Sequence, residues 1–303
     1  MCKKTHSTSS QHAEEIVQAK ATLESTADIY KTMATMEATK PTEQQEDGRN
    51  GSRCSFVITG FGPFAGVPNN PTSTLISCLR NNIAQLLEDG VHIRETHILD
   101  TSAEAAKFEI QGIYSRLCSD KLNKDGDDES YDCSTKDVFV MLHLGVNYRG
   151  KKMQLEQCAY NDATFRVPDN NGYQPQQMCI LGNSSTFGQC LRTTLDLNEI
   201  CTELQQQGQS ACCISQDPGR FVCNYTYCLS LDQCKSVNDS LEKNMQQSTK
   251  QLVGCHSLFL HVTPFAEIPE DNQLGFIVSL LKLIDKSISQ EMKNGTSTKT
   301  RDD

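Results

Sequence analysis

Apolar positions along this chain fall into short continuous runs and into helical stripes, and the two kinds alternate. "CSFVITGF", residues 54–61, is a short apolar run closed by Gly60 and Phe61, and it predicts a buried strand. After a Gly/Pro loop, "TSTLISCLRNNIAQLLEDG" sets Leu75, Ile76, Leu79, Ile83, Leu86 and Leu87 on one helical face. Thr72 or Ser73 can cap the start of that helix and Gly90 its end. "VHIRETHIL", 91–99, alternates as a strand does. "SAEAAKFEIQGIYSRLC" is a second amphipathic helix through Ile110, Ile113 and Leu117, and "DVFVMLHLG", 137–145, is the strongest buried strand in the chain. Further on come a helix closed by Gly208, a strand at "SACCIS", a helix at "FVCNYTYCLSLDQC" and a strand at "HSLFLHV". A last helix carries Leu274, Ile277, Leu281, Ile284 and Ile288 on one face.

Between these elements lie segments without a stripe. Residues 1–53 are Thr, Ser, Glu, Gln and Lys with scattered Ala and Met, and read as a disordered polar tail. An acidic surface loop is expected at 122–136, a polar insertion at 234–254, and a polar tail at 291–303. The stretch 146–190 is rich in Asn, Pro, Gly and Gln, and an irregular region of that length inside a domain is usually functional. The alternation of strand and helix over 54–290 predicts an α/β fold: one three-layer domain, with a mainly parallel mixed sheet and helices on both faces.

Composition narrows the function classes. The net charge is −10 and no Lys/Arg stripe is present, which argues against a nucleic-acid partner. No apolar run approaches a bilayer span, and "MCKKTHSTSSQHAEE" lacks the apolar centre of a secretory signal, so a cytoplasmic protein with no membrane partner is expected. There are 15 cysteines, an odd number with no C-x-x-C pair, so free thiols are expected rather than a disulfide framework or a zinc site.

Ligand sites in such sheets gather beyond the carboxyl ends of strands. That rule selects the residues after "FVITGF", "VMLHLG" and "CCIS", and those around "FLHV". "CCIS" leads into the turn-forming "QDPGR", with a helix expected just beyond, so Cys223 falls near a helix N-terminus. Free N–H groups there favour a thiolate and can hold an oxyanion. Local sequence alone does not separate this reading from a packed core thiol. A thiol nucleophile needs a base and an orienting acid. His261 stands near the end of its strand, before Pro264, whereas His143 reads as a satisfied core histidine. Glu156, in "MQLEQCAYN", has few cationic neighbours in sequence; it is either an exposed strand residue or a buried carboxylate with a specific partner. Phe61 and Phe64, in the loop after the first strand, are loop anchors or the walls of a small flat apolar pocket.

Four stretches in order, "TGFGPFAGVPNNP" (59–71), "LEQCAYNDATFRVPDNNGYQP" (155–175), "SQDPGRFVCN" (215–224) and "FLHV" (259–262), resemble the pyroglutamyl-peptidase I family of cysteine peptidases. The resemblance covers roughly 54–290. It implies a thiol peptidase that hydrolyses the N-terminal pyroglutamyl residue from peptides, with Cys223 as nucleophile, His261 as base and Glu156 as orienting acid. It implies a ring pocket at Phe61, Phe64, Val167, Phe221 and Val222. Asn70 would hold the first loop and Arg166 would stand close to the oxyanion. No cofactor and no metal are implied. The chain departs from the family at Pro218, where a small residue is expected, and at Val146, where some relatives carry Gln. A non-catalytic binder of pyroglutamyl termini and a thiol amidohydrolase of other specificity are the alternatives.

Overall fold

The two strongest apolar runs, β1 (Arg53–Phe61) and β3 (Asp137–Val146), lie side by side in parallel at the centre of a six-stranded sheet. Their side chains are buried on both faces, which is what a continuous run rather than an alternating one requires. The computed structural model describes residues 53–64, 66–119, 137–182, 185–244 and 252–297. All belong to one compact unit, Arg49–Asp303. The predicted tail, apart from Arg53, and the whole acidic loop at 122–136 fall outside the described residues.

The remaining strands are β2 (Ile93–Leu99), β4 (Met153–Glu156), β7 (Cys212–Ser215) and β8 (Leu252–Val262), in the order β2-β1-β3-β8-β4-β7. β2, β1, β3 and β8 are mutually parallel, whereas β4 runs antiparallel to β8 and carries β7 parallel to itself. A small second sheet pairs β5 (Cys158–Tyr160) with β6 (Cys190–Arg192). The helices are α1 (Pro71–Asn81), α2 (Ile83–Glu88), α3 (Ala103–Ser119), α4 (Leu197–Gln206), α5 (Val222–Asn244) and α6 (Glu270–Ser297). α1, α4 and α6 pack together on one side of the sheet, and α3 packs with α5 on the other. The three-layer α/β architecture is therefore the one the alternation predicts. No helix among the described residues is long and apolar enough to cross a membrane.

Several boundaries differ from the sequence pattern, each for a local reason. The first helix is capped by Asn70, whose side chain accepts from the Thr72 N–H, with Pro71 in the first turn, rather than by Thr72 or Ser73. It breaks at Asn82, which donates from Nδ2 to the Cys78 carbonyl at 2.8 Å and so competes with the helix ladder. Leu87, beyond the break, is exposed. The region 146–190 is not wholly irregular: β4 and β5 form within it, and β4 inserts into the main sheet. Of the expected insertion at 234–254, residues 245–251 fall outside the described residues, and the rest is regular structure. Residues 234–244 continue α5, because Cys234 stays in the core and the Asn238 amide bonds both the N–H and the carbonyl of Cys255 on β8 at 2.9 Å each. β8 takes up 252–254. α6 likewise runs past 290 into the expected tail, as far as Ser297.

Candidate active site

Strand periodicity places one row of side chains toward α5. On β3 these are Phe139, Met141, His143 and Gly145; on β8 they are Cys255, Ser257, Phe259 and His261. His143 is fully buried between Thr59 Oγ1 at 2.7 Å and Ser230 Oγ at 2.8 Å, and burial pushes its imidazole down to about 3. It is a neutral core residue, as its sequence position suggests. His261, two positions nearer the strand end than Phe259, meets different partners. Its Nδ1 lies 2.7 Å from Glu156 Oε1, and the Cys223 thiol interacts with the same ring strongly enough to raise its pKa.

Glu156 reaches this point because β4 runs antiparallel to β8, with Glu156 opposite Phe259 and Gln154 opposite His261. Its carboxylate is fully buried, and Oε2 has no hydrogen-bond partner. A buried carboxylate held by one bond depends on a cationic neighbour for its charge. The imidazole supplies it. Desolvation by burial lowers the His261 pKa, yet the hydrogen bonds and charges of Cys223 and Glu156 together outweigh it and raise the pKa to about 10.

This shift gives a stability prediction. A pKa raised above the ordinary 6.5 means that the folded protein binds a proton the unfolded chain releases first. The stabilisation is complete below pH about 6.5 and is lost as pH rises toward the folded value of about 10. The denaturation midpoint should fall over that window, and His261→Gln should flatten the fall. Equal slopes in the two proteins would contradict the ion pair.

Cys223 arrives by an unexpected route. Because β7 is antiparallel to β8, its carboxyl end, Ser215, does not point to the rim where β3 and β8 end. Residues 216–221 instead cross over the sheet face and deliver the first turn of α5. Gly219 takes φ +80 in this crossing, a conformation natural to glycine. Arg220 fixes the loop through Asp162 at 3.2 Å, Asp217 at 2.7 Å and the face of Tyr160 at 4.1 Å. Asn224, fully buried, accepts from Tyr160 N–H and donates to Tyr160 O, both at 2.8 Å, and donates to Asp162 O at 3.0 Å. The thiol then lies over Gly145, in the space a side chain there would fill: a Cβ on Gly145 would stand 3.0 Å from Cys223 Sγ. At the start of α5 the Cys223 N–H belongs to the first turn, where amides have no partner within the helix.

The other expected residues divide. Phe64 lies 6.2 Å from Phe221, ring to ring, and Phe221 packs edge-on against Phe165 at 4.8 Å. Val222, at 1% exposure, and Phe61, at 2%, are core residues at the edge of this aromatic group. Asn70 Nδ2 donates to Gly62 O at 3.0 Å, which ties the loop to its helix. Arg166 and Val167 have exposed side chains, and it is their neighbour Phe165 that contacts Phe221. Sequence reasoning missed Gly145, Phe165, Asn224 and Tyr227. Of these, only Gly145 carried a signal, a glycine ending a buried strand run. No group of His, Cys, Asp and Glu among the described residues is arranged to hold a metal ion.

A Cys, a His and a Glu converging on one face of an α/β sheet outline a thiol hydrolase. Comparison with known proteins agrees with that class. The profile of the pyroglutamyl peptidase family matches residues 124–245, a span that includes Glu156 and Cys223. A pyrrolidone-carboxylate peptidase of Fusobacterium nucleatum is 29% identical over 57% of this chain and 67% of its own. Human pyroglutamyl-peptidase 1 is 25% identical over 49% of this chain and 63% of its own, so the matched part spans roughly two thirds of these relatives. The solved pyrrolidone carboxyl peptidase of Thermococcus litoralis shares the fold, with a TM-score of 0.55 at 18% identity over 78% of this chain and 96% of that one. In sequence over residues 124–245, and in fold, the chain is thus similar to the pyroglutamyl peptidases.

Proposed function

We propose that this protein is a cysteine exopeptidase that hydrolyses the amide bond following an N-terminal pyroglutamyl residue. The observation that carries the reading is the buried Glu156–His261 pair at 2.7 Å, with Cys223 Sγ over Gly145, the register partner of His261. His261 holds the proton given up by the thiol, and Glu156 fixes the ring through Nδ1. The thiolate attacks the pyroglutamyl carbonyl. The first-turn N–H groups of α5, that of Cys223 among them, receive the oxyanion. His261 protonates the departing amine, then takes a proton from water, whose hydroxide releases the pyroglutamate from Cys223.

The substrate ring is neutral and lacks a free α-amine, which suits the Phe64, Phe165 and Phe221 group beside the thiol. A reducing compartment such as the cytoplasm suits a thiol nucleophile among so many free cysteines. The direct test is release of a fluorogenic amine from a pyroglutamyl amide by reduced, folded protein. No release, with other aminoacyl amides cleaved instead, would leave the thiol chemistry and remove the specificity.

Alkylation separates this thiol from the rest without any substrate. Desolvation raises the Cys78 and Cys228 pKa values to about 12, so those groups are neutral thiols at pH 7. Iodoacetamide at substoichiometric amounts should therefore label Cys223 first, as read by peptide mass spectrometry. Preferential labelling of any other cysteine would contradict the reading.

A further inference from the structure

Cys223 and Tyr227 stand four residues apart on α5 and so share one helix face. The Tyr227 hydroxyl donates to the main-chain carbonyl of Glu156 at 2.9 Å. The same Glu156 holds His261 through its carboxylate at 2.7 Å. The Tyr227 ring is fully buried and packs 5.8 Å from the ring of Phe259, which lies 4.8 Å from that of His261. One side chain thus joins the helix that carries the thiol to the strand end that carries the acid, and braces the ring beside the base.

We infer that Tyr227 is a positioning residue that fixes the depth of Cys223 relative to Glu156 and His261, an inference that rests on the thiol-peptidase reading above. Glu156 is the last residue of β4, and the Gln157 N–H beyond it bonds Ser215 O at 2.7 Å, so the backbone of Glu156 is held toward β7 while the phenol alone ties its carbonyl to α5. Without the phenol, its buried carbonyl loses this donor, and the joint between β4 and α5 rests on the Asn224 bonds to Tyr160 and Asp162, one helical turn nearer the thiol and four residues past the acid. Displacements of about 1 Å in a reacting constellation can cost 10²-fold in rate. Burial holds the Tyr227 phenol well above its usual pKa, so the proton stays on the oxygen and the bond persists throughout the working range.

Tyr227→Phe keeps the ring and removes only the hydroxyl. We expect its kcat on a pyroglutamyl amide to fall about tenfold or more with KM within twofold, and Cys223 alkylation to slow in parallel. Tyr114→Phe is the control: it removes another buried hydroxyl on the same side of the sheet, one that bonds Ser230 at 3.0 Å and touches none of the three residues. It should lose stability without losing kcat. Replacing Tyr227 by 4-aminophenylalanine, which restores a donor, should recover part of the rate. A kcat within twofold of the parent for Tyr227→Phe, or a loss matched by Tyr114→Phe, would overturn the inference. So would failure of both Tyr227 variants to fold, since the residue would then serve the fold and not the constellation. Should the parent protein neither cleave the amide nor show selective Cys223 labelling, the functional reading falls instead, and the two failures are told apart.

Discussion

Replacing Cys223 by serine is expected to lower turnover of a pyroglutamyl amide by about four to six orders of magnitude, the scale on which loss of a nucleophile acts in triad enzymes. The exchange is nearly isosteric and the site is only partly buried, so the fold should survive. What is lost is the reactive anion. A hydroxyl resists deprotonation far more than a thiol does, and the exchange also removes the sulfur whose interaction helps to raise the His261 pKa. The measurement is kcat in reducing buffer, with circular dichroism to show an unchanged fold. Cys190→Ser, at an exposed cysteine, is the companion and should retain full activity. Activity within tenfold of the parent in Cys223→Ser would remove this residue from the chemistry. A matching loss in Cys190→Ser would show that general thiol damage is being read.

The fold class was legible because period and length are strong signals where burial is two-sided. β1 and β3 show as apolar runs, and the stripe of α6 from Leu274 to Ile288 is buried at every predicted position. Polarity misled where a helix serves as a surface. Residues 234–244 look like an insertion, yet Asn238 bonds the backbone of Cys255, and such pairing across the chain leaves no mark in a hydropathy pattern. Strand direction was equally hidden. β4 spans four residues, and nothing in "MQLE" announces that it runs against β8. That reversal changes the geometry of the site. It brings Glu156 beside His261 and forces the chain after β7 across the sheet face, so Cys223 sits on the face, over a glycine, and not beyond the end of its own preceding strand. The Glu156 and His261 that meet in the structure could be named from the sequence, as could the Cys223 beside them. The groups that hold them, Asn224 and Tyr227, act through main-chain partners more than sixty residues away and became visible only in three dimensions.

Gly145→Ala is expected to cut turnover by about 10²-fold or more while leaving a folded protein, since a displacement near 1 Å at a reacting atom has that cost. Gly145 is the register partner of His261 across β3 and β8. An added Cβ would lie 2.6 Å from Phe259 Cζ and 3.0 Å from Cys223 Sγ. Both neighbours must then move. Phe259 is fully buried and stacks 4.8 Å from His261, so its displacement passes to the base, while the sulfur is pushed off the sheet and away from the imidazole. Overpacking of this kind costs about 1–3 kcal/mol of stability, which a domain of this size can absorb. Gly112→Ala in α3 gives the contrast. Its Cβ would meet only the Arg116 guanidinium at 3.4 Å, and alanine in a helix interior is favoured over glycine by roughly 0.5–1 kcal/mol. That variant should be as active as the parent and slightly more stable. The steric argument predicts that kcat and the Cys223 alkylation rate fall together in Gly145→Ala, because the sulfur itself has been displaced. A loss of kcat with unchanged alkylation would place the damage in the substrate pocket. Activity within threefold of the parent would show that the thiol does not need the space this glycine leaves.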